Sequence, residues 1–307
     1  MFPVLFHVGS HPVGAYTALH LIGAIVAVGL TVVVARRSGL ATRPLLVVAG
    51  ATLVGVWIGA RLGHAGFEPD GYRDDPSRLI ALRFAGLSLY GGFVGGMVAG
   101  AVAARHLGLS LRPLADAAVI GGGVGVACVR CGCLGRGCCF GAATDLPWAI
   151  TFPEGSPAWT AEAARHPVDL VLGVPIDSPA VHPTQVYEIV AALAAVALAA
   201  WLVRRRAPAG VAALAAAAIL VTGRGLAWSV RDSSSVLAGT DSLVVHLALA
   251  GVLALVALRW ASGAPVGDPT ARDTGGPRSH REPPAVRSSG RAGGIRTHDL
   301  RSPRPTR

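Results

Sequence analysis

The residues of this chain whose types and spacing could do chemistry fall in two short runs. Arg130-Cys-Gly-Cys-Leu-Gly-Arg-Gly-Cys-Cys-Phe-Gly141 gathers two arginines and four of the five cysteines, and His182-Pro-Thr-Gln-Val-Tyr-Glu188 begins 41 residues after Gly141. A guanidinium is planar, stays charged when partly desolvated and grips an anionic oxygen at two points. Arg130, with Arg224 farther along the chain, therefore suits a phosphate. Each arginine has competing fates, either snorkelling to a membrane surface or pairing with Asp116, Asp232 or Asp241. In the second run Pro183 keeps His182 out of helical geometry and a helix opens at Thr184. Gln185 and Glu188, three residues apart, share one face of it with Tyr187 nearby. The plain reading is a helix capped by Thr184 and anchored at an interface by Tyr187. The sharper reading is a polar site at the membrane surface.

Cys128, Cys131, Cys133, Cys138 and Cys139 crowd into twelve residues, so they are not the spread framework of a disulfide-stapled domain. Their pattern, Cys-x-x-Cys-x-Cys-x4-Cys-Cys, is not the two separated pairs of a zinc ribbon, and neither a metal nor a cofactor is expected. Cys133, Cys138 and Cys139 are candidates for a redox or nucleophilic role. The commoner use of such thiols is as small, readily buried residues.

Elements that cross a bilayer must position these groups. Of 307 residues, 52% are hydrophobic and only 14% charged, and the mean hydropathy is +0.54, outside the range of an ordinary soluble domain. Seven apolar stretches approach the ~20 residues a spanning helix needs: 13–35, 44–62, 87–105, 114–130, 185–203, 209–228 and 242–260. An all-α, polytopic membrane protein is expected, its domain covering 1–260. The first charged residue is Arg36, beyond a long apolar run, so no cleavable signal peptide is expected. The net charge of +10 comes from arginines placed mainly between and after the apolar stretches. That points to topology and to membrane lipids, not to nucleic acid. Arginines follow the first, third, fifth and seventh stretches, which puts those connections and the C-terminus in the cytoplasm and the N-terminus outside.

The long connection 131–184 lacks a span of its own and contains Trp148 and Trp159, so it reads as an outer cap lying on the membrane. Residues 261–307 are rich in Arg, Pro, Gly and Ser and read as a disordered cytoplasmic tail. Gly86-Leu-Ser-Leu-Tyr-Gly-Gly92 opens the third stretch and would let helices approach closely. Tyr16 puts a hydroxyl into the first stretch, where it needs a partner.

Together these pieces resemble the prolipoprotein diacylglyceryl transferase family, bacterial enzymes of the cytoplasmic membrane with seven spans. The resemblance covers roughly residues 10–260 and is carried most specifically by His182-Pro-Thr-Gln-Val-Tyr-Glu188. Further matching pieces are Tyr16 ahead of Gly23, Gly59-Ala-Arg-Leu-Gly63, the Gly-Leu-Ser-x-x-Gly-Gly run, Asp116 before Arg130, Arg130-x-Gly through Gly141, and Gly223-Arg224. It implies transfer of the diacylglyceryl group of phosphatidylglycerol to the thiol of a lipobox cysteine in a secreted prolipoprotein. On that resemblance Arg130, Arg224, His182 and Tyr16 are the expected catalytic residues. Arg130, Gly141, Tyr90, Asp116, Gln185 and Glu188 are expected to bind substrate. The chain departs from the family pattern at Tyr90 (histidine in the family), Cys133 (asparagine), Cys138 (glutamate) and Trp228 (an acidic residue). Those departures keep two alternatives open: transfer to a different acceptor or to the chain's own cysteines, and phospholipid binding without catalysis.

Overall fold

The computed structural model describes residues 4–8, 11–80, 87–166, 178–231 and 240–263. The expectations for Gly86, Asp232 and residues 264–307 lie outside them. An antiparallel hairpin of β1 (Val4–Val8) and β2 (His11–Gly14) leads into α1 (Ala15–Arg37). Then follow α2 (Thr42–Phe67), the short α3 (Asp70–Asp74), α4 (Leu89–His106), α5 (Leu111–Arg136), the short α6 (Pro157–Ala163), α7 (Thr184–Arg204), α8 (Val211–Ser229) and α9 (Thr240–Ser262).

The protein is all-α in architecture, and among the described residues six helices are long and apolar enough to cross a membrane. The sequence suggests seven. The difference is α4, whose 18 residues would extend about 27 Å but are diluted by glycines and end in Arg105 and His106. Helix ends follow the local chemistry. Arginines occupy the last turns of α1, α5, α7 and α9, where they complement the negative end of the helix dipole. Large apolar side chains such as Ile25, Phe93, Val190 and Leu255 are exposed on the helix surfaces, as lipid-facing side chains are.

Small residues rather than large ones let the helices meet. A Cβ added at Gly59 of α2 would overlap the Gly91 carbonyl of α4, and one at Gly91 would overlap that of Gly59. These two helices pair extensively with each other and only sparsely with the rest. The second assembly is a chain of contacts, α1 with α5, α5 with α7, α7 with α8 and α8 with α9. Its core is made of Ile120, Ala195, Ala199, Ala212 and Ala216. At its centre is α5, half of whose most apolar window is buried, the largest share among the six.

The ends of α5, α7 and α8 are knitted together by the connection between α5 and α7. Single bridges link Gly141 to Arg231 and Val181 to both Ala143 and Ile150. Phe152, Ala158 and Val181 form a small separate core against Leu134, Phe140 and Ile150. The described residues of this connection form a structured cap, starting later than the sequence suggests because α5 runs on to Arg136.

Candidate active site

The late turns of α5 and α8, the residues just after α8 and the first two turns of α7 come together at one end of the bundle, carrying three arginines and one glutamate. Glu188 receives all three. Its Oε2 is ion-paired with Nε of Arg130, its Oε1 accepts a hydrogen bond from Nη1 of Arg224 at 2.8 Å, and Nη2 of Arg231 stands 4.0 Å from the same oxygen. The side chains of Arg130 and Glu188 are 9% and 8% exposed. A charge so far removed from water is tolerated only when paired. These four side chains carry three positive charges against one negative, so the pairing leaves a surplus of two. Arg224 lies over the Trp228 ring at 4.9 Å, and Arg231 over the same ring at 5.0 Å.

A turn after α5 builds the neighbouring wall. Gly137 adopts the left-handed conformation (φ 76) that ends the helix, and the Cys138 N–H returns to the Cys133 carbonyl at 3.1 Å. The chain folds back, so Cys138 and Cys139 lie beside Cys133. A side chain at Gly137 would also collide with the Phe152 ring. The first turn of α7 then fixes the two carbonyls: Gln185 Nε2 donates to the Cys138 carbonyl at 2.6 Å and Thr184 Oγ1 to the Cys139 carbonyl at 2.5 Å. Arg231 Nη2 also donates to the Cys139 carbonyl, at 3.3 Å. Hydrogen bonds with the thiols of Cys133 and Cys138, together with Arg231 and Arg130, hold the Cys139 thiol well below its usual range. The same network pushes the Cys138 thiol up.

His182 and Gly141 are joined through the backbone. Gly141 N donates to the His182 carbonyl at 2.9 Å, and a side chain on Gly141 would strike His182 and the Val230 carbonyl. The His182 ring is held by the Tyr187 hydroxyl at 3.2 Å, which also accepts from Trp148 Nε1 at 2.8 Å. These three side chains line an apolar cleft of about 490 Å³ between α7 and α8, with Val190, Leu226 and Ala227 among its walls.

Tyr16 begins α1 against Gly132 of α5. Its ring stacks with His20 at 4.1 Å between centroids and lies under the Arg136 guanidinium at 5.0 Å. Tyr90 stands 41% exposed on α4, with Arg224 5.9 Å from its ring centre and its hydroxyl 3.5 Å from Nε2 of His246 on α9.

Several sequence expectations change. Arg130 is not at the outer end of its helix but six residues inside it, because α5 extends to Arg136. Gln185 and Glu188, read as part of a polar surface site, are buried, at 1% and 7% exposed. Asp116 lies away from the site. It is fourteen residues before Arg130 on the same helix, about 21 Å away. There its carboxylate accepts the backbone N–H groups of Gly210 and Ala213, both at 2.7 Å, and so caps the start of α8. Arg231 and His246 escaped the sequence reading. Arg231, two residues beyond the end of α8, had no periodic signal. His246 had none.

The sequence profile of the prolipoprotein diacylglyceryl transferase family matches residues 3–261. The chain belongs to that family. Among curated relatives, the phosphatidylglycerol–prolipoprotein diacylglyceryl transferase of Geobacter sulfurreducens is 32% identical over 61% of this chain and 65% of its own length. The protein of the same name from Porphyromonas gingivalis is 30% identical over 66% of this chain and 69% of its own length. That from Rhodopirellula baltica is 34% identical over 47% of this chain and 32% of its own length. The chain thus spans from about a third to about two thirds of the length of the first relatives it matches. Family membership and the apolar helices make it a multi-pass membrane protein.

Proposed function

We propose that this protein transfers the diacylglyceryl group of phosphatidylglycerol to the thiol of a lipobox cysteine in a secreted prolipoprotein. The observation that carries the reading is the convergence of Arg130, Arg224 and Arg231 on Glu188, which leaves a surplus of two positive charges at a buried site. An anionic phosphodiester offsets one of these two charges, and desolvated guanidiniums pull on its oxygens more strongly than hydrated ones. In the reaction the acceptor sulfur forms a bond to the glyceryl carbon, the bond from that carbon to the phosphate oxygen breaks, and glycerol phosphate departs. Charge grows on the phosphate as it leaves, and the preorganised arginines stabilise it. The thiol proton goes to an imidazole, which we assign to His182 at the mouth of the apolar cleft. The cleft takes an acyl chain. Tyr16, Gly141, Tyr90 and Gln185 shape the surroundings, while Asp116 holds the fold.

The arginine pattern supports the N-terminus outside and the C-terminus in the cytoplasm, with the site opening outward. The family shares its name with relatives acting on these substrates. The replacements at 90, 133, 138 and 228 leave the arginine–glutamate cluster complete.

Complementation is the test. The chain is expressed in a bacterium whose own transferase is shut off, and lipoprotein maturation is followed by mass spectrometry. Wild type restores the thioether-linked diacylglyceryl group. Arg130→Ala lowers transfer about 100- to 1000-fold, the loss typical of removing one preorganised donor. A correctly inserted, well-expressed wild type that yields no modified lipoprotein overturns the reading.

A further inference from the structure

The lipid-transfer chemistry gives no task to the juxtaposition of Cys133, Cys138 and Cys139. Their sulfurs lie within 4.8 Å of one another, Cys133 being 3% exposed. In a planar three-coordinate site with metal–sulfur bonds of about 2.3 Å, the sulfurs stand about 4.0 Å apart. No two of the three sulfurs are as much as an ångström farther apart than that before any side-chain adjustment. We propose that they form a binding site for a soft, thiophilic d10 metal ion, Cu(I) above others, held between the end of α5 and the turn that follows it.

Three features argue for a built site. Cys139 is one of two non-glycine residues with positive φ (61) among those described, a conformation that must be imposed by its surroundings. The surroundings that impose it are Thr184 and Arg231 on its carbonyl and Gln185 on that of Cys138. The donor set is sulfur alone, with no carboxylate or imidazole in the group, and thiolates select soft ions over hard ones. The charge also closes. Three thiolates with one Cu(I) carry two negative charges, matching the surplus of two on Arg130, Arg224, Arg231 and Glu188, so a bound ion and an anionic phospholipid would compete for the same arginines. Arg130 Nη1 already points at Cys133 Sγ from 3.9 Å, and Arg231 binds the Cys139 carbonyl. Binding exchanges the protons that the three thiols still carry for one cation; no electrons move. The linear pattern hides this site, because the ligands meet only when the left-handed Gly137 turns the chain back.

The test is a titration of the reduced, full-length protein in detergent with Cu(I) held by bicinchoninate, whose colour reports the copper taken away. Wild type and Cys128→Ser/Cys131→Ser are expected to take about one ion per chain. Cys133→Ser/Cys139→Ser is expected to take none while eluting as wild type does. Copper X-ray absorption of the wild type should show three sulfur neighbours at about 2.3 Å, a readout that stands even if the double variant aggregates. No uptake, equal uptake by Cys133→Ser/Cys139→Ser, nitrogen or oxygen neighbours, or Zn(II) held in preference to Cu(I) would each overturn the proposal. So would a thiol count two short of five in freshly prepared protein, which would assign the pair to a disulfide. No lipid or acceptor is present, so the outcome is independent of the transferase reading.

Discussion

Replacing Glu188 by glutamine tests whether one carboxylate holds the arginine cluster together. The carboxylate is 8% exposed and is approached by three guanidiniums, two of them, Arg130 and Arg224, themselves 9% and 16% exposed. Removing one partner of a buried ion pair costs about 3–5 kcal/mol, because the remaining charge is left without compensation. The glutamine carbonyl can still accept from Arg224 Nη1, returning about 1 kcal/mol. The net expectation is about 2–4 kcal/mol, which at roughly 2–4 °C per kcal/mol lowers the apparent Tm in detergent by about 5–15 °C. The variant also raises the local surplus from two positive charges to three, so an anionic lipid becomes the missing counterion. Added phosphatidylglycerol should therefore raise the Tm of Glu188→Gln more than that of wild type, whereas a zwitterionic phospholipid should stabilise both alike. The assay is thermal unfolding of purified protein with each lipid titrated in. An unchanged Tm, or equal stabilisation of both proteins by phosphatidylglycerol, would refute the reasoning that Glu188 is the counterion of a buried anion site.

Asp116→Ala should cost about 2–3 kcal/mol through loss of the two N–H bonds that cap α8. Phosphatidylglycerol binding by the folded fraction should be unaltered; a selective loss of binding would return Asp116 to the site. Gly91→Val places atoms where the Gly59 carbonyl of α2 already lies, and the forced separation should lower stability by about 1–3 kcal/mol or more. Gly50→Ala, on the same helix α2 but with nothing within 4 Å of the added carbon, should be neutral or stabilising by up to about 1 kcal/mol. Thermal unfolding of both glycine variants checks the pair, and equal effects would contradict close packing of α2 on α4.

The apolar stretches that cross the membrane, the arginines between them and the two polar runs were legible in the amino-acid order. Their information is local: about twenty apolar residues make a span whatever surrounds them, and arginine after a span reads the same way in any fold. The glycine run from 86 to 92 announced a close helix contact by lacking side chains, though not which helix would come. Partners were another matter. Glu188 looked like part of a surface site and Asp116 like a neighbour of Arg130, since spacing gives a helix face without saying what lies opposite. Only the packing of α5, α7 and α8 decided that Glu188 would take Arg130 and Arg224, that Asp116 would cap α8, and that Arg231 would join. The three thiols show the same division. Sequence supplied sulfur in quantity, and a left-handed turn at Gly137, followed by two carbonyls that α7 holds, brought three sulfurs within 4.8 Å of one another. Composition fixes the solvent a helix will face, whereas the meeting of charges depends on distances across the bundle, which no linear spacing contains.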